Sequence, residues 1–246
     1  MHRLRTISAN SLGRRRILFV SPFLPFPPES GARQRTYFLW KALSEIAPVD
    51  VVLCDSLESK NSITADAIPA SISFLGRFAW RSKGQWLRRL FERSTLSLAV
   101  ERLLHVAIPK HWDYEVDCRV NRGLLDVLGR SQYALVVGRY LKPIVKTGLV
   151  GQIPCLLDID DVDFDIVAQQ AQDITRSRWR RLLYSAHYSQ IQAAFQKWLP
   201  KFDGLWVTKA DDKRHPVTRN ATILPNIPYN FPVSVPPLNA ATSARL

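Results

Sequence analysis

A chain of 246 residues, 46% hydrophobic and 22% charged, has the length for one large or two small cored domains, which excludes a stapled mini-protein, a fibrous repeat and a wholly disordered chain. Lysine and arginine number 34 against 21 acidic residues, a net charge of +13, so the surface should attract anions: nucleic acid, phosphorylated substrates or an acidic membrane face. Cys54, Cys118 and Cys155 form neither a disulfide framework nor a CxxC cluster, and no apolar run reaches the length of a membrane span; both point to a reducing, cytoplasmic setting and against export.

Residues 1–15 are rich in arginine and serine without an apolar stretch and read as a basic lead-in. Arg16 to Ser21 (RILFVS) is a short continuous apolar run stopped by Pro22, the pattern of a strand buried on both faces. A proline-rich turn, PFLPFPPES, leads to Gly31 and to a segment with Tyr37, Phe38, Trp40, Leu43 and Ile46 at helical spacing. Val49 to Cys54 repeats the buried-strand pattern, so strand, helix and strand form a βαβ unit. The same grammar returns at Ala134 to Gly138, Pro154 to Ile159, Gly204 to Thr208 and Ala221 to Leu224, with Ser71 to Leu75 a weaker strand. The expected fold is therefore α/β, a doubly wound, mostly parallel Rossmann-like sheet in a single domain over 16–227, with ligands at the carboxyl ends of the strands. Two helices stand out by composition: Arg77 to Arg93, where aromatics interleave with basic residues, and the long amphipathic stretch Arg176 to Leu199. Residues 228–246 are proline-rich and aperiodic, a linker or tail.

Chemistry-bearing residues gather at the predicted strand ends. After the first strand, Gly31 allows close backbone approach, the helix start turns free amides and a positive dipole end outward, and Arg33 and Arg35 add forks for phosphate or carboxylate. The alternative is a strand-to-helix turn with its arginines in solvent. After Pro154 to Ile159 comes LDIDDVDFD, with Asp158, Asp160, Asp161, Asp163 and Asp165. Such carboxylates can hold sugar hydroxyls, stabilise positive charge at an anomeric carbon or ligate a divalent ion; equally, one or two can cap the next helix while the rest are solvated. Arg139 follows another strand and either touches the ligand or pairs with the aspartate cluster. The segment 77–93 either lies in a membrane interface or packs on the sheet.

The stretch RRILFVSPFLPFPPESGARQRTYFLWKAL resembles the amino-terminal start of family 4 glycosyltransferases of the B-type fold, and FDGLWVTKADDKR and ATILPNIP resemble the last strands and Pro-Asn hinge of that family's first domain. The resemblance implies an acceptor-side domain, with a nucleotide sugar held by a second domain and retaining transfer in the cleft between them without a bound metal or cofactor. The family's glycine pair corresponds to Gly31 and Ala32, and its polar strand end to Asp160 and Asp161. By this resemblance Asp160 and Asp161 are the catalytic candidates and Gly31 and Ala32 bind substrate; Arg33, Arg35 and Arg139, placed at the same strand ends, are the further substrate-binding candidates.

The expected function is thus sugar transfer from a nucleotide sugar to a glycan or lipid-linked acceptor in surface polysaccharide assembly. Only twenty residues follow Asn226, so the chain alone is expected to be inactive, either as a truncated copy or as one subunit of a split enzyme whose partner is a donor-domain subunit. Peripheral attachment to the inner membrane face is a further expectation. The competing class is a non-catalytic Rossmann-like module that binds a glycan, a partner subunit or an anionic membrane. Nucleic-acid binding rests on charge alone.

Overall fold

The computed structural model describes residues 16–26, 28, 30–57, 68–81, 113–129, 133–160, 163–173, 175 and 177–226. The basic lead-in, the proline-rich tail and Asp161 lie outside them. In chain order β1 (Arg16–Ser21), α1 (Gly31–Ile46), β2 (Val49–Ser56) and β3 (Ser73–Trp80) precede α2 (Cys118–Leu128), β4 (Tyr133–Arg139) and α3 (Leu141–Thr147). Then follow β5 (Cys155–Ile159), α4 (Asp163–Gln172), α5 (Arg178–Trp198), β6 (Gly204–Val207) and β7 (Thr222–Ile223).

The seven strands among the described residues form one parallel sheet in the order β3-β2-β1-β4-β5-β6-β7. The winding leaves β1 outward through β2 and β3, then returns to the other side of β1 with β4, so the order reverses between β1 and β4. Alternating residues of each strand feed two cores. Ile17, Phe19, Val49, Val51 and Val137 pack under Tyr37, Leu39 and Leu43 of α1. On the other face Leu18, Val20, Val52, Val136, Leu157 and Ile159 pack under α2, α3 and α5. Helices on both faces of a parallel sheet make this the doubly wound α/β architecture read from the strand pattern.

Local chemistry sets the helix ends. Ser30 caps α1 by accepting from the Arg33 amide at 3.4 Å, and Ala47, which precedes Pro48, is forced extended and stops the helix. Asp117 caps α2 by accepting from the Arg119 and Val120 amides, and the helix buries Val120, Leu124 and Leu128 along one face.

The predicted helix over 77–93 is corrected at its start. Arg77, Phe78, Ala79 and Trp80 are strand, paired with Leu53 to Ser56 of β2, and residues 82–93 lie outside the described residues. The aromatic-rich run SFLGRFAW suits a pleated surface better than a helix. Gly76, at φ +145°, accommodates a register shift against β2. Arg77 is exposed and donates to both oxygens of Asp55, at 2.9 Å each.

At the amino edge of the sheet one carboxylate ties four strands. Asp50 of β2 accepts from the Arg16 guanidinium of β1, the Ser73 hydroxyl of β3 and the Tyr133 hydroxyl of β4. Burial alone would raise this carboxyl; the hydrogen bonds from Arg16, Ser73 and Tyr133 together outweigh it and hold the group below its ordinary value. Its stabilising contribution is therefore complete above the unfolded value of about 4 and is lost as pH falls through the lower folded value. Asp50→Asn is expected to flatten that acid limb and to cost about 1–3 kcal/mol at neutral pH, since charged donors lose their acceptor. Urea titrations of both proteins at neutral and acid pH check this; an unchanged acid limb would count against it.

Candidate functional site

Three elements deliver polar side chains to the carboxyl edge beside the β1/β4 reversal. The helix α1 starts there with Gly31 and places Arg35 and Thr36 one turn in, both buried. Arg139 is the last residue of β4, and Asp158 and Asp160 end and follow β5. Arg35 is 6% exposed, Arg139 and Asp158 0%, and Asp160 8%.

These four charges form one network. Arg35 donates through Nε to Asp158 Oδ2 at 2.9 Å and through Nη2 to Oδ1 at 2.5 Å. Its Nη1 donates to the Leu224 carbonyl at 2.8 Å and to Asn226 Oδ1 at 2.9 Å, which fastens the chain beyond β7 to α1. Arg139 Nη2 donates to Asp160 Oδ2 at 2.7 Å, while Nη1 reaches the Ala32 carbonyl and the Thr36 hydroxyl at 3.1 and 3.2 Å. Arg139 Nε lies 3.3 Å from Asp158 Oδ2, within ion-pair range but not aligned as a hydrogen bond. Burial works against the charged Arg35, and the Asp158 carboxylate overrides it, raising the guanidinium above its ordinary value.

Gly31, Ala32, Arg33, Arg35, Arg139 and Asp160 are thus brought to one edge. Their roles differ by depth. Gly31 is exposed and Ala32 and Arg33 half-buried at the helix start, where amides and dipole face outward. Arg35 and Arg139 are committed to internal acceptors, and of the two readings of Arg139 the ion pair with the aspartates is the arrangement present.

Tyr140 was not singled out by the sequence reading. It follows β4 with φ +60° and ψ 146°, the one non-glycine residue at positive φ among those described. Its hydroxyl donates to Asp160 Oδ2 at 3.0 Å and accepts from Arg139 Nη2 at 3.3 Å, and its ring meets Phe23 edge-on. Burial first, and then the Asp160 charge, keep its phenol protonated well beyond the ordinary range. No sequence signal marks such a backbone. Thr208 was also passed over; its hydroxyl donates to the Asp160 carbonyl at 2.7 Å and joins the ends of β5 and β6. Asn226, which receives Arg35, stood in the sequence only as part of a hinge motif.

The arrangement can orient a hydroxyl-bearing or anionic ligand over the α1 start, with the Asp160 carboxylate and the Tyr140 hydroxyl behind it. Among the described residues no group of three or more His, Cys, Asp or Glu is placed to hold a metal ion, and no helix is long and apolar enough to cross a membrane.

No family model and no curated protein matches the sequence. Solved structures do match, at low identity. The apo UGT2 of Phytolacca americana is 13% identical with a TM-score of 0.42, over 87% of this chain and 52% of its own. A UDP-glucosyltransferase of Polygonum tinctorium capable of glucosylating indoxyl is 10% identical with a TM-score of 0.42, over 86% and 51%. The glycosyltransferase SnogD of Streptomyces nogalater is 17% identical with a TM-score of 0.36, over 95% and 56%. The chain therefore spans about half the length of these glycosyltransferases.

Three substitutions probe the network and its support. Arg139→Met leaves two buried carboxylates to one arginine and is expected to cost about 3–5 kcal/mol, part of which a second change, Asp160→Asn, should restore. Strict additivity of the two in denaturant melts would break the link. Gly138 lies directly under α3, where an added Cβ would sit 2.7 Å from Ile144 Cβ. Gly138→Ala should therefore cost about 1–3 kcal/mol by overpacking, read in the same melts.

Proposed function

We propose that this chain is the acceptor side of a sugar-nucleotide-dependent glycosyltransferase of the B-type fold, family 4 in kind, working in surface glycan or glycolipid assembly. The observation that carries the reading is the polar network at the carboxyl edge beside the β1/β4 reversal, where Arg139 joins the Ala32 carbonyl at the start of α1 to the Asp160 carboxylate. Parallel α/β sheets bind ligands at such reversals, and the sequence at that edge is the part that resembles the family. In this reading Gly31, Ala32 and Arg33 contact the substrate at the mouth. Asp160, with Asp161 beside it in sequence, stabilises charge at the reacting centre; Arg139 holds Asp160 and Arg35 holds Asp158, rather than touching the sugar. The nucleotide sugar is the co-substrate, held by a donor-side domain or subunit, with retention of configuration as the resemblance implies.

Attachment to an anionic membrane belongs to the same reading. Its support comes from the start of α5, where Trp179 and Leu182 are 44% and 63% exposed beside the exposed Arg178 and Arg180. The alternative, a non-catalytic glycan or partner-binding module, is favoured by one observation: both arginines of the network are spent on internal carboxylates.

Acceptor binding tests the proposal. Glycan and lipid-linked oligosaccharide arrays should retain the purified chain, with retention weakened about tenfold by Arg33→Ala, the loss of one charged hydrogen bond. Retention of no glycan would refute it. Product formed from a nucleotide sugar once a donor-side protein is added separates the transferase from the binding module.

A further inference from the structure

A polar concavity opens on the face of the sheet opposite α1, at the same carboxyl edge. It encloses about 250 Å³ and is lined by Asp113 and Tyr114, by Lys142 in the first turn of α3, and by Tyr184, His187 and Ile191 of α5. The last three recur along one face of that helix. Val167 of α4 closes the remaining side. The floor is fixed: Tyr114 is 2% exposed, its carbonyl accepts from Trp198 Nε1 at 2.8 Å, and its ring packs edge-on against Phe195. Lys142 Nζ lies 3.3 Å from Asp113 Oδ2 and 5.4 Å from the centroid of the Tyr114 ring. Tyr184 and His187 meet edge to face at 6.4 Å.

The lining selects among ligand chemistries. A cavity of this size is below the roughly 300–1,000 Å³ that hold drug-sized ligands, so it suits a single ring. Lys142 already faces a carboxylate, so a free anion would have to approach Asp113 as well and meet like-charge repulsion. A purely apolar ligand would desolvate the Lys142–Asp113 pair and offer it nothing in return. A neutral polyhydroxylated ring meets each demand. Its hydroxyls donate to Asp113 and accept from Lys142, and its C–H face lies against the rings of Tyr114 and Tyr184.

We propose that this cavity is a monosaccharide subsite that takes one neutral pyranose unit. The binding stands on the cavity alone; naming the bound sugar as part of the acceptor rests on the function proposed above. Lys142 is two residues beyond Tyr140, whose hydroxyl bonds Asp160, so the subsite is close in the chain to the polar network of the proposed function.

The test uses the full chain labelled with ¹⁵N-histidine, with the His187 imidazole signal assigned by its loss in His187→Gln. Methyl glycosides of glucose, galactose and mannose are titrated singly, against inorganic phosphate and phenol as probes of the other two chemistries. At least one glycoside should shift the His187 signal saturably, with affinity reduced about tenfold in Lys142→Met, a rim change that leaves the core intact. Ile191→Trp, which fills the cavity, should abolish the shift. The assignment is overturned if no glycoside moves His187, if phosphate or phenol moves it in their place, or if the Lys142→Met chain binds as tightly as the parent. A glycoside that binds at His187, yet yields no product when donor-side protein and nucleotide sugar are present, upholds the subsite and overturns the acceptor reading.

Discussion

Four buried charges, Arg35, Arg139, Asp158 and Asp160, constrain everything at the carboxyl edge of this sheet. Removing such groups from water costs several kcal/mol each, and their mutual attraction offsets that only when the set is complete and well oriented. Completeness requires α1, β4 and β5 to meet at fixed depth and rotation, because the two arginines and two carboxylates come from those three elements. A network of this sort adds little net stability over apolar packing of the same volume. What it supplies is geometry: α1 cannot slide along the sheet, and the chain after β7 cannot leave Arg35, without stranding a charge.

Tyr140 shows what that rigidity holds. A tyrosine at φ +60° costs on the order of 1–3 kcal/mol and persists only where its surroundings over-determine it. Here its amide still donates to the Asp158 carbonyl at 2.9 Å, its hydroxyl is shared between Asp160 and Arg139, and its ring rests on Phe23. Gly138, two residues earlier, lets α3 approach β4 closely enough that the chain must turn sharply between them. The strain sits where the sheet order reverses, at the start of the helix that carries Lys142.

The strands were legible because buried parallel strands are continuous apolar runs. RILFVS and the later runs of that kind fell on β1, β2, β4, β5 and β6 to within a residue or two at either end. The run at 73–80 was harder: its tryptophan and arginine imitate an amphipathic helix, and only pairing with β2 distinguishes the two. Gathering of Arg35, Arg139 and Asp160 at one edge could be anticipated because each follows or lies beside the carboxyl end of a parallel strand. Their burial could not, because no local pattern reports that an arginine on α1 and an aspartate 123 residues later satisfy one another. Tyr140 and the cavity beside Lys142 were illegible for the same reason. One depends on backbone torsion, the other on a face of α5 meeting residues from three separate stretches of chain.

The two edges of the sheet use the same chemistry to opposite ends. At the amino edge Asp50 is saturated by three neighbours from three strands, so nothing remains there for a ligand and the edge only holds strands together. At the carboxyl edge the charges are also paired, although Arg139 Nε has no aligned acceptor, and they lie beneath a helix start whose outward amides no strand can reach. The start of α1 is on one face and the concavity at Lys142 on the other, joined by the three residues from Tyr140 to Lys142. A rigid base beneath a polar mouth keeps the fixed parts of a site apart from the parts that meet solvent.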